Sequence, residues 1–269
     1  MKVAGQAGES IAIATVPNLR DLGGWPTRDG RRVRRKLLYR STQLDQLAGA
    51  DLAAFAALGI RSVYDLRTET ERTARPDRLP AGTEHIVVDV LAGSADAAPA
   101  ALSKVAADPR AAEALLGGGK GPALFEKGYR EIVTLPSAGV AYHRLFSDLT
   151  QAEHRPALFH CATGKDRTGW AAASLLLLFG VPDDLVMQEY LLTNTELLPA
   201  EQPLLENFRA LGGDPEVLRP VVEVAPEYLE AALDEMHKTF ATIECYFAEG
   251  LGVHETAQEA LLAAFVDGG

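Results

Sequence analysis

One short segment of the chain carries residue types that could act together on a phosphate ester. Residues 160–169 read His-Cys-Ala-Thr-Gly-Lys-Asp-Arg-Thr-Gly, so five residues separate Cys161 from Arg167. A loop of this length can surround a dianionic phosphate with its backbone N–H groups. The thiolate of Cys161 would then lie beneath the phosphorus, and the guanidinium of Arg167 would bind two oxygens. The predicted chemistry is nucleophilic attack by cysteine on a phosphate monoester.

The sequence on either side of this loop predicts how it is held. Residues 156–160 indicate a short buried strand, and residues 168–179 an apolar helix that ends at Gly180 with Pro182 just beyond. The loop therefore presents its anion to a helix N-terminus, where free amides and the helix dipole favour negative charge. The same field favours the thiolate form of Cys161. The alternative, a core cysteine beside a solvated Lys-Asp-Arg run, requires neither this spacing nor these flanking elements.

With these residues the chain resembles the cysteine-dependent protein-tyrosine phosphatase superfamily, whose signature is His-Cys-x5-Arg-Ser/Thr. Residues 18–24 (Asn-Leu-Arg-Asp-Leu-Gly-Gly), residues 64–67 (Tyr-Asp-Leu-Arg) followed by Glu71, and the Lys-Asp pair at 165–166 are similar to one atypical bacterial branch. That branch includes a secreted mycobacterial enzyme and is described as acting on phosphotyrosine, phosphoserine/threonine and phosphoinositides. The resemblance implies a protein-tyrosine phosphatase with dual specificity, or alternatively a phosphoinositide phosphatase.

Each residue of the loop then has an expected role. Cys161 is the nucleophile that forms a cysteinyl-phosphate, and Arg167 binds the phosphoryl group in a bidentate manner that lysine could not reproduce. His160 is expected to orient the loop through hydrogen bonds. Thr168 is expected to hydrogen-bond the sulfur, with an ordinary helix-start hydroxyl as the alternative. The backbone amides expected to bind phosphate are those of Ala162, Thr163, Gly164, Lys165, Asp166 and Arg167.

The general acid has two candidates. The leaving oxygen needs a proton, which a carboxylic acid within hydrogen-bond reach can supply. The Trp-Pro-Asp sequence of the best-known superfamily members is absent, because Trp25-Pro26 is followed by Thr27. The resemblance favours Asp166 within the loop over Asp89 at the end of the predicted fourth strand. The neighbouring Arg167 favours an ionised carboxylate, which argues against Asp166 in this role.

Further charged residues are expected around the loop. We expect Arg20 to pair with Asp21, and Arg67 with Glu71, as ion pairs that hold the loop and do not bind substrate. Lys165 is either a solvated lysine or a second cation that attracts a polyanionic lipid head group. The second interpretation follows from a resemblance to the Cys-x-x-Gly-Lys-x-Arg loop of phosphoinositide phosphatases.

The hydrophobic pattern predicts an α/β fold, and the resemblance implies a protein-tyrosine phosphatase-like one. We expect a central, mainly parallel sheet of about five strands, flanked by helices. The predicted strands cover residues 10–16, 35–40, 60–66, 85–90 and 156–160. The predicted helices lie at 49–58, 101–116, around 142–149, from Pro226 onwards and at 255–265.

The chain length of 269 residues is compatible with a single phosphatase domain over 1–269. Residues 91–122 are rich in alanine and glycine and form either a lid insertion or an inert surface excursion. Residues 183–269 are predicted to be helical. The helix from Pro226 is expected to bury one apolar stripe formed by Leu229, Leu233, Met236, Phe240, Ile243 and Phe247.

Composition excludes several function classes. The net charge of −11 argues against a nucleic-acid partner, and a phosphorylated ligand therefore needs local positive charge.

The two cysteines, Cys161 and Cys245, do not have the spacing of metal ligands, so no metal and no cofactor are expected. Reduced thiols and the absence of a long apolar run or a signal core predict a cytoplasmic location, unless the chain is exported without such a signal. No prediction of oligomeric state follows.

Three other function classes are less consistent with the motif. A catalytically idle phosphate-binding module would normally lack the nucleophile, whereas Cys161 is present. Rhodanese-type sulfur transfer usually lacks the Lys-Asp-Arg-Thr-Gly continuation. Arsenate reduction requires partner cysteines, and only Cys245 is available.

Overall fold

A five-stranded sheet forms the centre of the molecule. The computed structural model describes residues 7–93, 105 and 107–268. In chain order the strands are β1 (Arg20–Asp21), β2 (Leu38–Ser41), β3 (Ser62–Asp65), β4 (Glu84–Val87) and β5 (Ala157–His160). Their order across the sheet is β1-β2-β5-β3-β4, and only the β1/β2 pair is antiparallel. The predicted helix-flanked, mainly parallel sheet is confirmed.

Strand β5 has the central position, and its register decides where the loop emerges. Residue His160 is level with Ser41 of β2 on one side and with Asp65 of β3 on the other. All residues of these three strands are buried, as is usual where helices cover both faces of a parallel sheet. The carboxyl ends of the three strands therefore meet at one edge, which is where ligands of parallel α/β sheets bind.

Helices make up most of the remaining described chain. Helix α6 (Asp166–Leu178) follows β5 and is buried on almost every side, which explains why its sequence is mainly apolar on every face. Its Trp170 donates a hydrogen bond to the hydroxyl of Tyr246 (2.9 Å). The helices are α1 (Gly49–Ala56), α2 (Glu69–Ala74), α3 (Pro109–Leu116), α4 (Lys120–Thr134), α5 (Pro136–Asp148), α6 (Asp166–Leu178), α7 (Asp183–Ala210), α8 (Arg219–Val222), α9 (Pro226–Phe240), α10 (Ile243–Cys245) and α11 (Glu255–Phe265).

Two predicted elements differ from the structure. Residues 10–16 form no strand and contribute a single bridge, between Ser10 and Arg20. The helix that begins at Pro226 ends at Phe240, because Ala241 adopts φ +66°, which an α-helix does not allow. Ile243 and Phe247 therefore belong to α10 and to a following π-helical turn (Tyr246–Gly250).

The proposed lid region lies partly outside the described residues. Residues 94–104 and 106 are not described. The helix predicted at 101–116 is not continuous, because residues 107 and 108 are not helical and α3 begins only at Pro109. The described part, α3, begins after Asp108, whose carboxylate accepts hydrogen bonds from the amides of Arg110 and Ala111. Within the glycine-rich part of residues 91–122, α4 already begins at Lys120. Among the described residues, no helix combines the length and apolar character needed to cross a membrane.

Candidate active site

The predicted strand–loop–helix unit is present. Strand β5 ends at His160, and the loop of residues 161–165, which we call the phosphate loop, leads into α6 at Asp166. The side chain of Cys161 is a buried free thiol at the start of the loop. Arg167 lies in the first turn of α6 and is only 7% exposed. The loop therefore sits at the carboxyl edge of the sheet and at a helix N-terminus.

Donors from other segments of the chain bind the carbonyl groups on the outer side of the phosphate loop. The C=O and N–H groups of a peptide unit point in opposite directions, so the N–H groups point towards the inner side of the loop. A phosphate bound on this inner side would be surrounded by N–H donors. The hydrogen bonds run from Gln43 N to Ala162 O (3.1 Å), from Asn18 Nδ2 to Thr163 O (3.2 Å) and Gly164 O (3.1 Å), and from Arg40 Nη2 to Gly164 O (2.6 Å).

Gly164 is confined by both its conformation and its neighbours. Its φ of +65° lies in the left-handed region that side chains disfavour. A Cβ at this position would lie 2.2 Å from the carbonyl oxygen of Ser41 and 3.0 Å from Asn18 Nδ2. The loop can therefore approach the end of β2 only because residue 164 is glycine.

Two buried arginines, Arg20 and Arg40, lie on the outer side of the phosphate loop. Arg20 and Arg40 face each other across β1 and β2, where two like charges would repel. The carboxylate of Glu189 from α7 bridges them, 2.6 Å from Arg20 Nε and 2.8 Å from Arg40 Nη1. Burial and the charge of Arg40 lower the pKa of Arg20 to about 10. Burial alone would raise the pKa of Glu189, but the two arginines lower it, so the carboxylate is ionised.

The predicted pair of Arg20 with Asp21 is wrong. Consecutive strand residues point to opposite faces of a sheet, so these two side chains diverge. Asp21 instead accepts hydrogen bonds from the backbone amides of Gly23 and Lys36, both at 2.8 Å. Arg20 reaches the loop indirectly, through its hydrogen bond with Asn18 Oδ1.

The predicted pair of Arg67 with Glu71 is also wrong, because Glu71 binds Arg167. The two carboxylate oxygens of Glu71 accept one hydrogen bond each from Nη1 and Nη2 of Arg167, both at 2.8 Å. Burial disfavours both charges, but this bidentate pair raises the pKa of Arg167 and lowers that of Glu71. Glu71 also completes a capping box with Thr68 at the start of α2. Helix α2 therefore fixes the orientation of the arginine.

Arg67 belongs to a separate buried cluster of charged residues, which lies beside His160 at the end of β5. Its guanidinium forms a bidentate pair with Asp65 (2.8 and 2.6 Å) and lies 2.8 Å from Asp77. Asp77 lies 3.0 Å from Nε2 of His160, whose Nδ1 donates to the carbonyl of Cys161 (3.0 Å). The predicted orienting contact of His160 is thus present, and Asp77 lies beside the other ring nitrogen of this histidine.

The exposed His85 joins this cluster from the surface. Its Nε2 lies 3.2 Å from Asp65 and 3.4 Å from Asp77. These three residues are close enough to share a cation. Arg67 already supplies positive charge there, because its Nη2 contacts both carboxylates. The cluster is therefore compensated without a metal, and the prediction that the protein needs none remains a prediction.

The two candidate acids have different surroundings. Asp166 lies in the phosphate loop's helix, with its side chain 29% exposed, and its Oδ1 accepts a hydrogen bond from the hydroxyl of Tyr129 (2.9 Å). Asp89 follows β4, two strands away from β5. It accepts a hydrogen bond from the amide of Leu91 and lies 3.4 Å from Arg72. Among the described residues, Asp89 forms no hydrogen bond or ion pair with a residue of the phosphate loop.

Lys165 is buried, so the interpretation as a solvated lysine is wrong. Burial lowers the pKa of its ammonium. Nζ donates hydrogen bonds to the carbonyls of Pro220 (2.8 Å) and Glu223 (3.0 Å), lies 3.4 Å from Asp166 Oδ1 and sits 4.2 Å above the ring of Phe125. An ammonium has three N–H donors, and these neighbours account for all of them.

Thr168 carries a buried hydroxyl without a hydrogen bond to any residue that the structure describes. The expected bond to the sulfur of Cys161 is therefore not formed in this state. A buried unsatisfied hydroxyl is costly, and such groups often have a functional reason.

The sequence interpretation missed several contacts. Arg40 could have been noticed, because it lies near the carboxyl end of a strand next to β5. The remaining residues have no spacing that links them to the loop, because they come from distant segments. They are Asp77, Tyr129 and Glu189.

Comparisons with known proteins agree with this geometry. The model of the tyrosine phosphatase family matches residues 11–267. A protein described as a tyrosine-protein phosphatase in Cupriavidus necator is 31% identical over 250 residues, which cover 92% of this chain and 86% of the relative. The triple specificity protein phosphatase PtpB of Mycobacterium tuberculosis is 28% identical, over 89% of this chain and 94% of the relative. This chain belongs to the tyrosine phosphatase family and is a protein-tyrosine phosphatase.

Replacing Arg40 should weaken binding at the loop more than it harms the fold. In Arg40→Met, Glu189 keeps Arg20 as its partner, so no buried charge is left alone, but the carbonyl of Gly164 loses its charged donor. We expect vanadate, an analogue of the transferring phosphoryl group, to inhibit about 10- to 100-fold less strongly, as for loss of a charged hydrogen bond. Competitive inhibition of aryl phosphate hydrolysis measures this.

The control for Arg40 is Arg28→Met. Arg28 also pairs with α7, 2.8 Å from Asp183, but both side chains are exposed, so the pair contributes little. Its vanadate inhibition should match the wild type. An equal loss in the two variants would contradict the role of Arg40.

His85 should make stability depend on pH. Hydrogen bonds with Asp65 and Asp77 raise the pKa of His85 to about 9, so its stabilising effect is complete below the unfolded value near 6.5 and disappears as pH rises through 9. His85→Ala should lower the free energy of unfolding by about 1 kcal/mol at pH 6, a figure reduced for solvent screening because the side chain is 36% exposed, and by little at pH 10. Urea unfolding at both pH values tests this, and a constant difference would refute it.

Proposed function

We propose that this tyrosine phosphatase hydrolyses its substrates through a cysteinyl-phosphate on Cys161. The observation that supports this most strongly is the set of bonds to the carbonyls of residues 162–164, which leaves the loop amides for the phosphate. The sulfur of Cys161 attacks phosphorus, the S–P bond forms and the bond to the leaving oxygen breaks. Water then attacks the same phosphorus and the sulfur leaves.

Arg167 has one edge of its guanidinium left for the phosphoryl group. Glu71 takes one N–H of Nη1 and one of Nη2, and the carbonyl of Leu66 lies 3.4 Å from Nη1. Of the five donors of an arginine, the Nε–H and the second N–H of Nη2 remain, and they point side by side. This edge fits two equatorial oxygens of a phosphoryl group. Thr168 donates to the sulfur in the second step, and His160 holds the carbonyl of Cys161.

Asp166 is the proposed general acid. Its carboxyl group gives its proton to the leaving oxygen in the first step and takes a proton from the attacking water in the second. It lies one residue from Arg167 and at the first turn of α6, whereas the described contacts of Asp89 are with α2 and its own strand end. The position directly after the phosphate loop, next to Arg167, favours Asp166.

Phosphoproteins are the proposed substrates, with phosphotyrosine first and phosphoserine/threonine as the broader set. Phosphoinositides, the alternative implied by the sequence resemblance, are the second candidate substrates, and the Mycobacterium tuberculosis relative is named a triple specificity protein phosphatase. Recognition of a lipid head group through Lys165 would have to replace its bonds with Pro220 and Glu223. This cost favours phosphoproteins over phosphoinositides.

We also propose that the chain forms a single phosphatase domain, in which residues 91–122 are a lid insertion. Residues 183–269 would form a helical portion that supports the phosphate loop through Glu189 and the carbonyl of Glu223. Both cysteines are free, which suits a reducing cytoplasm.

Cys161→Ser should abolish turnover and retain phosphate binding. A serine hydroxyl at neutral pH is a poor nucleophile, but the bonds that shape the loop do not involve the sulfur. The assay compares a phosphotyrosine peptide, a phosphoserine peptide and phosphoinositide vesicles, and calorimetry with inorganic phosphate measures binding. Cys245→Ser is the control and should keep full activity, because Cys245 lies in α10.

Two results would contradict this mechanism or its substrate class. Substantial activity of Cys161→Ser, or loss of wild-type activity with a metal chelator, would exclude the cysteine mechanism. A higher kcat/KM on phosphoinositide vesicles than on either peptide would replace the phosphoprotein proposal with the lipid one.

Asp166→Asn should distinguish the two acids. It should slow hydrolysis of the phosphoserine peptide about 100-fold or more, because an alkoxide needs the proton. It should slow an activated aryl phosphate much less, because an aryl oxide of low basicity leaves without it. Asp89→Asn should affect neither substrate. The reverse pattern would assign the acid to Asp89, and equal losses on both substrates would indicate damage to phosphate binding.

A further inference from the structure

Two buried tyrosines form a hydrogen-bonded chain that ends on Asp166, the first residue after the phosphate loop. The hydroxyl of Tyr190, in α7, donates to the hydroxyl of Tyr129, in α4 (2.7 Å). The hydroxyl of Tyr129 donates to Oδ1 of Asp166 (2.9 Å). Both rings are buried and meet edge to face, with centroids 6.1 Å apart. The mechanism described so far gives these tyrosines no part.

The direction of this chain follows from the number of protons. A tyrosine hydroxyl has one proton to donate, so Tyr129 gives it to Asp166 and accepts the proton of Tyr190. Burial and the nearby charge of Asp166 raise the pKa of Tyr129, and burial likewise raises that of Tyr190. Both hydroxyls therefore keep their protons at neutral pH and act as fixed donors.

The effect on Asp166 is to make its two oxygens different. Oδ1 is held by Tyr129 at 2.9 Å and lies 3.4 Å from Nζ of Lys165. Lys165 is itself held by the carbonyls of Pro220 and Glu223. A carboxylate bound at one oxygen by two such groups cannot rotate freely, so Oδ2 becomes the oxygen that can exchange a proton.

We propose that Tyr129 is a positioning residue that orients the carboxyl group of Asp166 for proton transfer between Oδ2 and the leaving oxygen. This inference rests on the proposed role of Asp166. The proton on Oδ2 moves to the leaving oxygen as the S–P bond forms and the P–O bond breaks. In the second step Oδ2 takes a proton from water as the water oxygen bonds to phosphorus and the S–P bond breaks. Tyr129 keeps its own proton throughout.

A purely structural role would rest on the ring of Tyr129, which packs against Tyr190 and Tyr228, the latter at a centroid distance of 5.9 Å. Tyr129→Phe keeps this ring and removes only the hydroxyl. The matched control is Tyr228→Phe, which removes a hydroxyl from the same aromatic cluster. Among the described residues, the Tyr228 hydroxyl makes no hydrogen bond with Asp166.

The experiment measures kcat and KM of both variants on the phosphoserine peptide and on p-nitrophenyl phosphate. Tyr129→Phe should lower kcat on the peptide about tenfold, a part of the 10²–10⁴ that general acids contribute. Its KM, and its kcat on the aryl ester, should change less than about threefold. Tyr228→Phe should match the wild type on both substrates. Equal losses of Tyr129→Phe on the two substrates, or no loss, would overturn the inference.

Asp166→Asn, measured in parallel, separates this inference from the proposed function. If Asp166→Asn slows both substrates equally, the proposed acid and the inference fail together. If it slows mainly the peptide and Tyr129→Phe does not, only the inference fails. In the double variant, Tyr129→Phe should add nothing to the effect of Asp166→Asn. An additive loss in the double variant would mean that the hydroxyl supports the fold and does not orient the acid.

Discussion

A loop that binds phosphate with its backbone amides depends on where its carbonyl groups go. Each carbonyl that turned inwards would bring negative charge towards the dianion and remove one amide from it. In this protein, side chains from β2 and from the turn before β1 bind the carbonyls of Thr163 and Gly164 on the outer side. The absence of a side chain at residue 164 allows this approach, and Glu189 keeps the two supporting arginines together without repulsion. The orientation of the loop amides therefore depends on the bonds to the loop carbonyls, on the space left at Gly164, and on the bridging carboxylate of Glu189.

Charge balance around the loop follows from the same arrangement. The chain as a whole is strongly negative, yet it must bind a dianion. Arg167 is paired with Glu71, and Lys165 lies beside Asp166. The two buried arginines share one glutamate, which leaves a surplus positive charge behind the loop. Burying an unbalanced charge is costly, and the hydrogen bonds of the guanidinium groups to Asn18, Thr193 and the loop carbonyl offset this cost.

The sequence was sufficient for the centre of the site and insufficient for its supports. The strand, loop and helix around Cys161 follow from local pattern, because each depends on residues close in sequence. Partners such as Glu189 follow from the sheet register and helix packing, which bring together residues far apart in the chain. Arg20 shows why proximity misleads: its sequence neighbour Asp21 points to the other face of the strand. Helix α9 ends at Phe240 because of one backbone angle at Ala241, and the spacing of hydrophobic residues in the sequence does not predict this angle.

The residues that hold the phosphate loop come from both ends of the chain. Asn18 and Arg40 precede the loop, whereas Glu189 and the carbonyls that bind Lys165, those of Pro220 and Glu223, follow it. Translation delivers these groups in order, and the last ones emerge when most of the chain has been synthesised. A nascent chain on the ribosome that stops short of Glu223 therefore carries Cys161 and Arg167 without the complete set of contacts that holds the loop in shape.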